Sequence, residues 1–143
     1  MGRSAKDLER LAGRLRASVV PLSRQLRRVD GRFSQTQLSV IGTIDRHGPI
    51  ALGDLAARER LSPPMITRVV GQLEEARFVV REGDMQDRRV TRVHLTPEGK
   101  AWVDEGRAQR EAWLAERLGQ LDDLSLNALE RAAEVFERFV DDA

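Results

Sequence analysis

Between Leu52 and Gly99 the chain carries an order of caps, breakers and apolar spacings that admits few folds. Leu52-Gly53-Asp54-Leu55-Ala56-Ala57 and Ser62-Pro63-Pro64-Met65-Ile66-Thr67-Arg68 have the spacing of two short helices joined by a turn. Phe78 to Gly99 then reads as a strand, an acidic-basic turn and a second strand, with Gly83-Asp84-Met85-Gln86-Asp87-Arg88-Arg89 at the bend. Helix, turn, helix and a basic-tipped hairpin is the layout of a winged helix. Such a unit can set one helix in a major groove and a hairpin tip on the adjacent backbone. The expected class is therefore mainly α, with a small β-hairpin wing.

The flanking segments are helical by period. Leu8, Leu11, Leu15, Val19, Leu22, Leu26 and Val29 recur at steps of three and four, with Pro21 placed to kink the helix. The residues at 30–32 end that segment. Ser34 and Gln37 form a capping box for the next helix, Phe33 and Leu38 a hydrophobic staple, and Gly48-Pro49 stops it. Ile50 adds one short strand pairing. In the fourth helix Ile66, Val69, Val70 and Leu73 fall at i, i+3, i+4 and i+7 and face the core. Pro64, Met65, Thr67, Arg68, Gly71 and Gln72 are left on or near the outward face. Thr96-Pro97-Glu98 starts a fifth helix expected to reach Leu121, and Leu124-Ser125 starts a sixth. Three segments follow: an N-terminal helix over 1–32, a reading head over 33–97 and C-terminal helices over 98–143.

Charge is uneven along the chain although the formal total is +1. Residues 1–32 carry nine basic against three acidic side chains, residues 33–97 nine against eight, and residues 98–143 six against twelve. The two ends are complementary, which favours their packing within one chain or between two. The basic charge is nearly all arginine, which suits bidentate contacts to phosphate and guanine, although a GC-rich genome gives the same bias and is the favoured cause.

Several classes are excluded or unsupported. Without cysteine there is no disulfide, thiolate metal site or thiol switch. His47 and His94 are isolated, so neither a metal nor another cofactor is expected. No glycine-rich phosphate loop or nucleophile elbow points to an enzyme. Asp122-Asp123 and Asp141-Asp142 read as solubilising charge. No apolar run approaches the roughly 20 residues of a membrane span, and no signal-peptide stretch opens the chain, so the cytoplasm is the expected compartment.

Asp87-Arg88-Arg89 followed by Val93-His94-Leu95-Thr96-Pro97-Glu98-Gly99 matches the pattern D-x-R then L-T-x-x-G. With Thr67-Arg68 in the fourth helix and Ser34-Gln35-Thr36-Gln37 opening the second, the whole chain resembles the MarR family of bacterial transcriptional regulators. The resemblance implies a homodimer, joined through the first, fifth and sixth helices, on double-stranded DNA with a palindromic operator. It implies Arg89 in the minor groove with Asp87 holding it, and Thr67 and Arg68 at the major groove. Ser34, Thr36 and Ser62 would lie near phosphates. It also implies a repressor that a small-molecule effector releases. Three positions depart from the pattern. Arg77 stands where relatives carry a left-handed glycine, Gly71 sits mid-helix, and Pro63-Pro64 removes two first-turn donors.

Each residue also has a plainer reading. Asp87 and Arg89 could be a solvated ion pair, and Arg88 a phosphate contact or plain surface. Met65 touches a thymine methyl or packs on the neighbouring turn. Gln72 is a further candidate on the exposed face, Gln37 is a capping residue, and Arg27, Arg28 and Arg32 read as a solvated basic face. His94 is expected to be exposed on its strand. Trp102 and Trp113 read as packing between helices or copies before a ligand cage. The near-neutral head leaves open a second reading of the whole, a winged-helix protein-interaction module without DNA specificity.

Overall fold

In the computed structural model six helices and three short strands follow one another among the described residues, 2–27 and 32–141. They are α1 (Ala5–Leu26), α2 (Gln35–His47), β1 (Ile50–Ala51), α3 (Leu52–Glu59), α4 (Pro63–Glu75), β2 (Val79–Gly83), β3 (Thr91–Leu95), α5 (Pro97–Leu118) and α6 (Asp123–Asp141). The chain divides into two units, Met1–Gly106 and Arg107–Ala143, with the boundary inside α5.

The core of the first unit comes from the stripes that the sequence spaces for it. Val40, Ile41 and Ile44 of α2, Leu55 and Ala56 of α3, and Ile66, Val69, Val70 and Leu73 of α4 are all buried. They close on Ile50, Phe78, Val79, Val93 and Val103. The sheet order is β1-β3-β2, both pairs antiparallel. Ile50 pairs with Val93, so the short strand expected at Ile50 is present. The hairpin register runs from Val79 opposite Leu95 to Gly83 opposite Thr91.

Helix starts are set by local chemistry. Ser34 accepts from the Gln37 amide, and its own N–H donates to the Gln37 side chain, which closes the expected capping box. Ser4 and Asp7 form a second box at α1, a start that the apolar stripe alone did not mark. α1 runs through Pro21 and has no buried residue. Arg28, Val29, Asp30 and Gly31 lie outside the described residues.

The join between α4 and the wing is closely packed, with no room for a Cβ at Gly99. Arg77 is left-handed, φ 64°, at the position where the family pattern places glycine. Its amide donates to Glu74 O and that of Phe78 to Leu73 O, the two bonds of a Schellman ending. A non-glycine residue held there costs about 1 kcal/mol. The Phe78 carbonyl accepts from the Thr96 amide, while the Thr96 hydroxyl donates to Arg77 O at 2.6 Å and accepts from the Gly99 amide at 3.0 Å. A Cβ on Gly99 would lie 2.1 Å from the Phe78 oxygen. The threonine and glycine of L-T-x-x-G thus brace the end of α4 against the start of α5. The Phe78 ring packs on Phe33 and Trp102, with centroids 5.1 and 5.3 Å away, so Trp102 fills a core edge rather than lining a cage.

Several boundaries differ from expectation. α5 ends at Leu118 because residues 119–121 tighten into turns, with Gln120 and Leu121 bonded three residues back. α6 starts at Asp123, since Asp122 is its cap: the carboxylate accepts the Ser125 amide at 2.7 Å, and its pKa is lowered for that reason. Asp122 is therefore a structural residue and not simply solubilising charge. α3 stops at Glu59 because Arg60 turns left-handed, φ 53°. In the second unit Arg117 stacks on Trp113, 3.5 Å from the ring centroid. Leu124, Phe139 and Val140 of α6 are exposed by 81%, 63% and 74%.

Gly99→Ala should destabilise the protein by roughly 1–3 kcal/mol, because the added carbon meets backbone and not a movable side chain. Urea unfolding measures this, and an unchanged midpoint would remove the proposed brace.

Candidate nucleic-acid interface

α4 turns its buried stripe to the core and leaves Ser62, Pro63, Pro64, Met65, Thr67, Arg68 and Gln72 exposed. Ser62 caps the helix by accepting the Met65 amide at 3.4 Å. The prolines fill the first turn, where no helical acceptor is available for an amide. A donor surface at this helix start must therefore come from side chains. Gly71 faces open space: a Cβ there would meet nothing within 4 Å, so packing does not require the glycine.

The wing tip is folded by two aspartates. Asp84 accepts the amides of Gln86 and Asp87 at 2.7 and 3.2 Å, and its second oxygen takes the Arg92 guanidinium at 2.5 Å. The Arg92 bond and the two amides hold its pKa down at about 2. Asp87 repeats the device one step on. It accepts the Arg89 amide at 3.0 Å and the Arg89 Nε at 3.2 Å, which lowers its own pKa. The Arg89 side chain is nonetheless 91% exposed. It is a charge held in direction and left wet. Arg88 is exposed beside it, and Met85 projects fully into solvent.

One ion pair ties the wing back to α4 and another closes within the hairpin. Arg81 of β2 reaches Glu74 of α4 at 2.7 Å. His94 meets Glu82 across the hairpin at 3.1 Å and sits half-buried, so it is not the freely exposed strand residue expected. Glu82 raises the His94 pKa, and the Leu95 carbonyl adds to the effect. Ser34, the cap of α2, and Thr36 in its first turn are exposed. Gln37 does more than cap, because its Nε2 donates to Gln72 Oε1 of α4 at 3.1 Å. Arg32 lies over the Phe78 ring, 5.8 Å from its centroid. A recess of about 580 Å³ opens beside His47, Pro49, Asp54, Arg58 and Arg92.

The head thus puts an exposed helix face and an exposed, oriented arginine on one frame. The model of the MarR family matches residues 33–91, which include α4 and Asp84 to Arg89 of the wing tip. An uncharacterised HTH-type transcriptional regulator of Mycobacterium bovis is 38% identical over 136 residues, 94% of this chain and 95% of its own length. The chain belongs to the MarR family. A crystallised candidate transcriptional regulator of Pseudomonas aeruginosa superposes with a TM-score of 0.83 at 33% identity, covering 96% of this chain and 98% of its own. Streptococcus pneumoniae FabT, solved in complex with DNA, has a TM-score of 0.68 at 15% identity, with 97% and 99% covered, a likeness of fold alone. The protein is thereby a winged helix-turn-helix transcriptional regulator by family, and its relatives carry regulator names rather than those of enzymes. Among the described residues no helix is long and apolar enough to cross a membrane.

The MarR wing pattern names Asp87 and Arg89 but leaves out Asp84, whose carboxylate accepts as many bonds as that of Asp87. Aspartate two residues before an amide is a turn signal, and Asp84 followed by Gln86 could have been read that way. Asp84→Asn should loosen the tip, seen as faster amide exchange at Gln86 and Asp87 with little change in global melting. In the native protein Asp84 favours the folded tip fully above the ordinary carboxylate value near 4. That contribution is lost as pH falls through about 2, where an NMR titration of its carboxyl should find the midpoint. A midpoint in the ordinary range would disprove the Arg92 pairing.

Proposed function

We propose that this MarR-family regulator is a homodimeric repressor that reads a palindromic operator with α4 and the wing. The observation that carries the reading is Arg89, fully wet yet held by Asp87, on the same head as the exposed Thr67 and Arg68. Holding a guanidinium in direction before contact lowers the ordering cost of inserting it into a narrow minor groove. Thr67 and Arg68 take base edges or phosphates in the major groove. Met65 takes an apolar base contact, and Pro64 packs against sugar or methyl groups. Ser34, Thr36, Ser62 and Arg88 position the phosphates. The DNA-bound crystal of FabT, whose fold this chain shares, supports the choice of ligand.

Dimerisation is supported by apolar side chains without cover. Leu8, Leu15, Val19 and Leu22 on α1 and Leu124, Leu129, Phe139 and Val140 on α6 are exposed, more than isolated surface apolars would explain. Opposite charge on segments 1–32 and 98–143 favours the same association, with the head over 33–97 between them. Two-fold symmetry then sets half-site centres about 10 base pairs apart. Release by a small molecule completes the proposal as the family likeness suggests it.

Arg89→Ala should weaken operator binding by roughly 1–3 kcal/mol without unfolding the protein. Fluorescence anisotropy at fixed salt measures it, and unchanged affinity removes the wing contact. Binding without any sequence preference would favour a protein-interaction module instead. Phe139→Glu combined with Val140→Glu should give a monomer by sedimentation and lower operator affinity more than about tenfold, since the two heads no longer share one duplex. A dimer of unchanged affinity would place the interface elsewhere.

A further inference from the structure

Resting on the DNA-binding reading above, we infer that Gln37 fixes the hydrogen-bonding polarity of Gln72, so that α4 offers the duplex an amide donor there. The relay starts at a group that cannot reverse. The Ser34 main-chain N–H can only donate, and Gln37 Oε1 lies 2.8 Å from it. That bond turns the Gln37 NH2 group away from Ser34. Its Nε2 then lies 3.1 Å from Gln72 Oε1. Flipping either amide alone would set two donors or two acceptors against each other. The carbonyl of Gln72 is therefore held against α2, and its NH2 group is left over.

Gln72 is exposed and stands one turn beyond Arg68, on the same side of α4. With its carbonyl engaged, it complements an acceptor on the duplex: guanine O6 or N7, thymine O4, or a phosphate oxygen. It is poorly arranged for the paired contact to adenine, which needs the carbonyl and the amide side by side. The cap of one helix thus sets what a residue on another helix can read.

Gln37→Glu tests this, because glutamate is favoured at this position of a capping box and keeps the bond to Ser34 N–H. Its second oxygen can only accept, so Gln72 must rotate its NH2 inward and present its carbonyl. Native protein, Q37E, Q72A and the double variant are compared by melting, by anisotropy on the operator and by selection from randomised duplexes. Q37E should lower operator affinity roughly tenfold with Gln72 present and much less in the Q72A background, where only the added charge acts. A preference moving at one position per half-site, from guanine or thymine to adenine or cytosine, identifies a base acceptor. An equal coupled loss on all sequences identifies a phosphate. The same factor in both backgrounds overturns the relay. A native protein that binds no duplex overturns the DNA reading, and the relay with it.

Discussion

The reading head depends on how α4 ends. Arg77 must turn left-handed so that the chain can pass through Phe78 into β2. The Phe78 amide closes the Schellman ending, its carbonyl receives Thr96, and its ring completes a cluster with Phe33 and Trp102. Gly99 lets the first turn of α5 come within reach of the same carbonyl. One residue therefore joins α4, the wing, the start of α2 and the start of α5. The cost of a strained arginine, about 1 kcal/mol, is small beside what a disordered join would lose.

Carboxylates in the head serve as organisers more than as charge. Asp84 folds the wing tip, Asp87 aims Arg89, and Glu74 anchors the wing to α4 through Arg81. Glu59 receives the hydroxyls of Ser39 and Thr43 and so ties α3 to α2. The head can then be nearly neutral by count while Arg68, Arg88 and Arg89 remain exposed. Asp84, Asp87 and Glu74 are engaged by backbone amides or arginines, Asp45 by Lys100 and Glu82 by His94.

Much of the fold was legible. Capping boxes, first-turn prolines and the i, i+3, i+4 stripes act within one or two turns, so Ser34, Ser62 and the α4 stripe could be read directly. The Arg77 position was legible too, through its place in the family pattern. Other features escaped for one of two reasons. Asp122 and Arg60 are boundary residues, where an aspartate or arginine is equally compatible with cap, turn or surface. The Gln37–Gln72 and Arg92–Asp84 bonds join residues 35 and 8 positions apart, and no local period announces them. The half-burial of His94 follows from Glu82 across the hairpin, again a neighbour made by register.

What the chain alone determined is the order of its elements and which face of each is apolar, because caps and spacing are short-range. Tertiary structure decided orientation: which way the Gln72 amide points, how far the tip carboxylates restrain Arg89, and where α5 can begin. Those outcomes require two segments to share a donor, an acceptor or a few ångströms of space. They exist only once the chain has closed on itself.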